Sequence, residues 1–203
     1  MTHSIDTFRA SGTYEEALDR AARLWGIEPE YRDTIGDTLH RDHRGYGDLV
    51  YRNDTGRNDF VILKAAYDAQ NAYFFAQTLE KISPHTDRNW MLLFLDTDQD
   101  ARTGWLGYDY VVNLEVLSGT AMTVKAWRQG KWETVGKAEY RVNGNGMELA
   151  ISRALIGQKE KTPAFDFHWA DNIQSFEGAS EFGVNGDSAP DRRWNYRFEA
   201  GRR

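Results

Sequence analysis

Asn89-Trp90-Met91-Leu92-Leu93-Phe94-Leu95-Asp96-Thr97-Asp98-Gln99-Asp100-Ala101-Arg102-Thr103-Gly104-Trp105-Leu106-Gly107-Tyr108-Asp109-Tyr110 is the stretch on which the fold turns. Trp90 to Leu95 is apolar at odd and even positions alike. Alternate side chains of a strand go to opposite faces, so this segment reads as a central strand covered on both, with an N-terminal helix as one candidate cover. A loop rich in Asp, Thr and Gly follows. Alternation then returns: Tyr108, Tyr110, Val112, Leu114 and Val116 share one face, and Asp109, Val111, Asn113 and Glu115 the other.

Working outward, the same period of two recurs. Short β-prone runs separated by Gly, Asn and Asp clusters fall at 48–51, 60–67, 72–79, 90–96, 108–117, 122–128, 131–135, 138–142, 147–152, 165–169 and 193–199. About ten strands with turn signals at this spacing read as a sandwich or barrel. Asn143-Gly144-Asn145-Gly146 is a strong hairpin signal and Gln129-Gly130 a weaker one. Phe165, Phe167 and Trp169 oppose Asp166 and His168, while Trp194, Tyr196 and Phe198 oppose Arg193, Asn195 and Arg197. Before Pro29 the pattern is helical: Thr13 and Glu16 have capping-box spacing, and Tyr14, Ala17, Leu18, Ala21, Ala22 and Trp25 recur on one face. The expected organisation is thus a helical segment over 1–28 and a β-domain over 29–203.

Composition narrows the function. The 203 residues are 40% hydrophobic and 13% aromatic, enough for one packed domain. With 31 acids against 25 bases there is no basic stripe to neutralise phosphates, so nucleic acid is not an expected partner. No apolar run approaches a membrane span, and Met1-Thr2-His3-Ser4-Ile5-Asp6 lacks the basic and apolar segments of a signal peptide. The absence of cysteine excludes disulfides and thiolate metal sites.

Asp96, Asp98 and Asp100 stand at alternate positions after the central strand, and Asp109 can complete a set. Calcium takes six to eight oxygen ligands, so these carboxylates can converge on it. The loop is not an EF-hand, because its sixth position is Ala101 and its twelfth Gly107. A solvated Asp-rich turn is the competing reading. Among the seven tryptophans, Trp105 lies in a glycine-flanked loop, which favours exposure and ligand contact over packing on the turn. Trp194 has core parity yet starts its strand beside Arg192 and Arg193. Trp90 and Trp169 read as core, and Trp127 with Trp132 as a structural pair across a turn. Asp171-Asn172 and Asp187 suit hydroxyl recognition, calcium ligation or turn capping; Arg57-Asn58-Asp59 suits a buried ion pair, a loop brace or ligand contact. His40 and His43 lack the spacing of a metal pair and read as a surface loop.

Asn89-Trp90 through Asp98, followed by Thr103-Gly104-Trp105-Leu106-Gly107-Tyr108-Asp109-Tyr110, resembles the central hairpin of family 9 carbohydrate-binding modules and their DOMON-like relatives. Gly56-Arg57-Asn58-Asp59, Phe165-Asp166-Phe167-His168-Trp169-Ala170-Asp171-Asn172 and Gly186-Asp187-Ser188-Ala189-Pro190 leading into Arg193-Trp194-Asn195-Tyr196 are similar to further segments of such sugar-binding domains. The resemblance runs in order over residues 25 to 199. It implies an all-β, jelly-roll-like antiparallel β-sandwich of about ten strands with a short N-terminal helix. It also implies non-catalytic binding of a polysaccharide or oligosaccharide, with a structural calcium. An extracellular or periplasmic setting follows, as the targeting module of a polysaccharide-degrading enzyme whose catalytic domain lies upstream.

Sugar recognition needs an apolar platform and several oriented polar groups. Two segments combine them: Trp105, Asp109 and Asn113, and Asp187, Arg193 and Trp194. The alternatives are a β-sandwich glycoside hydrolase or lyase, for which Asp109, Glu115 and Asp166 are the available acids, and a protein-interaction sandwich without a small ligand. No spacing selects an acid pair, and no nucleophile elbow, phosphate loop or cofactor fingerprint is present. Met91 and His168 are too isolated to propose as haem ligands.

Overall fold

The computed structural model describes residues 55–160, 162–178, 181–182, 186–190 and 194–201. The expected helix over 13–25, the run at 48–51, His40, His43 and Arg193 lie outside them. Ten strands follow in chain order: β1 Phe60–Tyr67, β2 Asn71–Thr78, β3 Leu92–Asp96, β4 Tyr110–Ser118, β5 Ala121–Arg128, β6 Lys131–Asn143, β7 Gly146–Ser152, β8 Ala164–Ala170, β9 Ser188–Ala189 and β10 Tyr196–Glu199. All pair antiparallel along one path, β1-β2-β7-β6-β5-β4-β3-β8-β10, with β9 added beside β8. The chain is therefore all-β over the described residues, and no helix among them is long and apolar enough to cross a membrane.

The two runs expected at 131–135 and 138–142 are one strand. Gly136, which falls between those two runs, is where Leu155 rests on the backbone: a Cβ there would lie 2.8 Å from the leucine methyls. The glycine admits a neighbour without ending the strand. Both hairpin signals form. Gln129 and Gly130 take φ of 50° and 80°, and Trp127 pairs with Trp132 across them, the rings 5.0 Å apart and edge to face. Gly144 takes φ of 63°, and Asn143 pairs with Gly146.

Alternation sorts one set of side chains into the main core. Ala72, Phe74 and Ala76 of β2, Met122 and Val124 of β5, Met147, Leu149 and Ile151 of β7, and Phe165, Phe167 and Trp169 of β8 are all buried in it. The two ends of the sheet meet there. Phe74 packs on Phe165 at 5.4 Å and Phe167 at 5.6 Å, Phe60 on Trp169 at 6.0 Å and Tyr67 on Phe198 at 5.9 Å. Burying such rings at about 25 cal/mol per Å² is what curls the sheet onto itself.

β3 is buried on both faces, as its unbroken apolar run requires. Leu93 and Leu95 join the main core, while Leu92 and Phe94 enter a second cluster with Trp105, Tyr108, Val111, Ala170, Ile173 and Phe182. Among the described residues, that second cover is made by the loops between β3 and β4 and after β8.

Candidate functional site

Where β3 ends, the loop that leaves it and the segment entering β4 bring Asp96, Asp98 and Asp109 together. One carboxylate oxygen from each lies within 4.8 Å of the others, a group that could hold a metal ion. Asp96 is buried, Asp109 half-buried and Asp98 exposed. Local hydrogen bonds fix all three. The Gln99 amide donates to Asp96 Oδ1 at 2.6 Å, and the Thr97 amide and hydroxyl both donate to Asp109 Oδ2 at 2.8 Å. Asp98 accepts from the Asp100 amide at 2.9 Å and from the Thr103 hydroxyl. Asp100, the fourth expected ligand, is not in the group: both its oxygens hold the Arg102 guanidinium, at 2.8 and 2.7 Å.

Three hard oxygen donors and no nitrogen or sulfur make the chemistry of a hard cation. The field agrees. Burial, and then the charges of Asp109, Asp166 and Asp98, push the Asp96 carboxyl up to about 6 against the bond from the Gln99 amide. Asp166 is the cross-strand partner of Asp96 and is gripped by Arg197 at 2.8 and 2.9 Å. The Tyr108 hydroxyl, 2.6 Å from Asn195 Oδ1, is pushed upward by burial and by Asp96 and Asp166.

This arrangement gives a pH dependence with a definite sign. A carboxyl raised in the folded state stabilises the fold below its unfolded value, near 3.9, and loses that contribution as pH rises through its folded value. In chelator, urea melts should therefore show the Asp96 contribution, at most about 3 kcal/mol, disappearing between roughly pH 4 and 6. A bound cation reverses the trend, because it requires the carboxylate. Asp96→Asn should flatten the chelator profile; an unchanged profile would assign the slope to other groups.

The expected sugar contacts are dispersed by the structure. Trp105, expected to be exposed, is 8% exposed. The loop folds back through paired Trp105–Tyr108 backbone bonds of 2.9 Å, so the indole turns inward, meets Phe94 at 5.5 Å and Phe176 at 5.2 Å, and donates to the Phe176 carbonyl at 3.1 Å. Gly104 makes that reversal possible: its φ is 66°, and a Cβ there would sit 2.2 Å from the Tyr108 oxygen. Asn113, placed on a polar outer face by alternation, is buried and donates to the Trp90 carbonyl at 2.6 Å. It takes φ of 77° at an irregularity in the β4–β5 pairing, which breaks the alternation of β4. Asp187 is buried and accepts from the Phe60 amide at 2.6 Å. Trp194, given core parity, is 50% exposed, because β10 begins only at Tyr196 and the parity does not extend back to it.

The three acids a hydrolase would draft are each engaged. Asp109 holds Thr97, Glu115 pairs with Lys125 at 2.6 Å, and Asp166 pairs with Arg197. His168 has no exposed surface; Phe94, Tyr108 and Phe182 surround its ring, and its Nδ1 lies 2.8 Å from the Trp194 carbonyl oxygen.

Residues far apart in sequence meet instead at Asp171. Its carboxylate accepts from Arg57 Nε at 2.6 Å, Asn58 Nδ2 at 3.0 Å and the Met91 amide at 2.8 Å, while its own amide donates to the Asp187 carbonyl at 2.8 Å. Gly186 is pressed so close that a Cβ would lie 1.8 Å from the Asp171 oxygen. The Arg57-Asn58, Asp171 and Gly186-Asp187 segments are thus a loop brace. Asp166 and Arg197 could have been foreseen as a pair, since both have polar parity on strands that prove adjacent.

No family model matches the chain, and no curated protein or solved structure matches it.

Proposed function

We propose that the chain is a non-catalytic carbohydrate-binding module of jelly-roll-like sandwich form, carrying a structural calcium at Asp96, Asp98 and Asp109. The observation that carries the sugar reading is Trp194. It is a half-exposed indole at the entry to β10, followed in the chain by Asn195, which accepts from Tyr108, and by Arg197, which holds Asp166. A pyranose face presents C–H groups to such a ring while its hydroxyls need donors and acceptors at the rim. Trp105, Asn113 and Asp187 serve this site only by holding its frame.

Calcium suits the acidic loop because the ion would neutralise carboxylates that otherwise repel one another. When bound, the ion supplies charge neutralisation. Thr97, Gln99 and Thr103 orient the ligands.

A glycan array probed with the chain in calcium and in chelator tests class and metal together. Binding to one saccharide class is expected, with Trp194→Ala weakening it about tenfold or more while the melt shifts little, as for an exposed contact residue. Steady release of reducing ends from a bound polysaccharide would replace this reading with a hydrolase. No binding on the array would remove the sugar reading.

A further inference from the structure

On β2, Ala72, Phe74 and Ala76 face the core, so Tyr73 and Phe75 stand on the opposite, outer face, where both are half-buried. Register sets their neighbours. One row across the sheet is Lys64, Phe75, Glu148 and Arg141; the next is Ala66, Tyr73, Ala150 and Glu139. Small side chains therefore flank Tyr73 on both sides, and the Phe75 ring leans on Gly146, where a Cβ would be 3.2 Å from it. Tyr73 is thus not walled in by bulky neighbours from the adjacent strands, while Phe75 lies between Lys64 and Glu148.

Polar groups surround them in fixed positions. The Tyr73 hydroxyl donates to Asp68 at 2.7 Å, and Asn71 donates to that hydroxyl at 3.4 Å. The Lys64 ammonium lies 5.5 Å from the Phe75 ring centre. Glu139, Arg141 and Glu148 are exposed. The two rows carry two cations, Lys64 and Arg141, and two carboxylates, Glu139 and Glu148. With Asp68 at the Tyr73 hydroxyl, the carboxylates outnumber the cations by one, so the face has no attraction for an acidic polymer or a nucleic acid, while it offers donors and acceptors of both kinds around two apolar rings.

We propose that this outer face of β1, β2, β7 and β6 is a second saccharide-binding surface, taking an uncharged glycan on Tyr73 and Phe75. The inference rests on the carbohydrate reading above and adds to it. Because Phe74 packs against β8 through the core, this surface and Trp194 belong to opposite ends of the curled sheet. A long glycan, or two chains, can engage both, and two linked contacts raise avidity without any new contact in either site.

The test is affinity electrophoresis of the full chain through gels containing hydroxyethyl cellulose, galactomannan, neutral arabinoxylan or, as the acidic control, polygalacturonate. The parent chain should be retarded by a neutral polymer. Tyr73→Leu with Phe75→Leu keeps apolar cover but removes the flat rings, and should weaken retardation about tenfold or more. Adding Trp194→Ala should abolish it. Should the leucine pair destabilise the fold, Glu139→Ala with Glu148→Ala reads the same surface from its exposed rim, and undiminished retardation there overturns the proposal. Parent-like retardation of the leucine pair also overturns it while leaving the Trp194 site standing. Stronger retardation by polygalacturonate overturns the uncharged ligand. Retardation of the parent by none of the polymers overturns this surface and the carbohydrate reading together.

Discussion

Asp171→Ala is expected to destabilise the protein by about 3–5 kcal/mol, the range for removing one partner of a buried ion pair. Asp171 is fully buried and Arg57 half-buried, at side-chain exposures of 0% and 18%. Burial alone raises the Asp171 carboxyl, and the Arg57, Asn58 and Met91 bonds oppose that rise. The pair is therefore not a large net source of stability. Its loss is costly because the Met91 N–H loses its acceptor, and because Arg57 and Asn58, which still donate to the Arg88 and Asn89 carbonyls and to Ser83, lose the carboxylate that joins them. Asp171→Asn separates the contributions: it keeps an acceptor for Asn58 and Met91 but opposes a donor to Arg57, so it should cost less than alanine and more than about 1 kcal/mol. Urea unfolding with a constant slope would check both values. A cost below about 1 kcal/mol for alanine would show that the loops do not depend on this brace.

The brace also shows what the sequence could and could not reveal. Strand positions were legible because strands such as β2 and β7 have one buried face, and parity alone placed Phe165, Phe167 and Trp169 in the core with Asp166 opposite. The both-sided apolar run at β3 likewise announced its central place. Loops carry no such period. Arg57 and Asp171 lie 114 residues apart, and only the folded register brings them within 2.6 Å. Parity itself failed where the backbone leaves the strand conformation. Asn113, with φ of 77°, turns a residue expected outside into one that is buried. At Gly136 the rule that glycine ends a strand gave way to its other use, close approach by Leu155. For the acidic loop, spacing suggested Asp96, Asp98 and Asp100 with Asp109 completing the set; three of the four come together, and spacing could not show that Arg102 holds Asp100 apart.

The two tryptophans expected from the sequence to meet the sugar should behave oppositely when truncated. Trp105→Ala is expected to cost about 3–5 kcal/mol, the range for deleting a large aromatic from a packed interior. Its indole contacts Phe94, Tyr108, Trp132, Phe176 and Phe182, and the Phe176 carbonyl would lose its donor. The cavity would open beside Phe94 on β3, so the strand that carries Asp96 would lose its cover; Trp105→Ala should also weaken any calcium effect on the melt. Trp194→Ala leaves the His168 contact intact, because that contact is to the backbone carbonyl, and should change stability by about 1 kcal/mol or less. Urea melts of both variants in calcium and in chelator, read beside saccharide titrations, separate frame from contact. Trp105→Ala should lose stability, and Trp194→Ala should lose affinity alone. A Trp105→Ala variant as stable as the parent would mean that the indole is not part of the packed cluster, and the contact role would return to it.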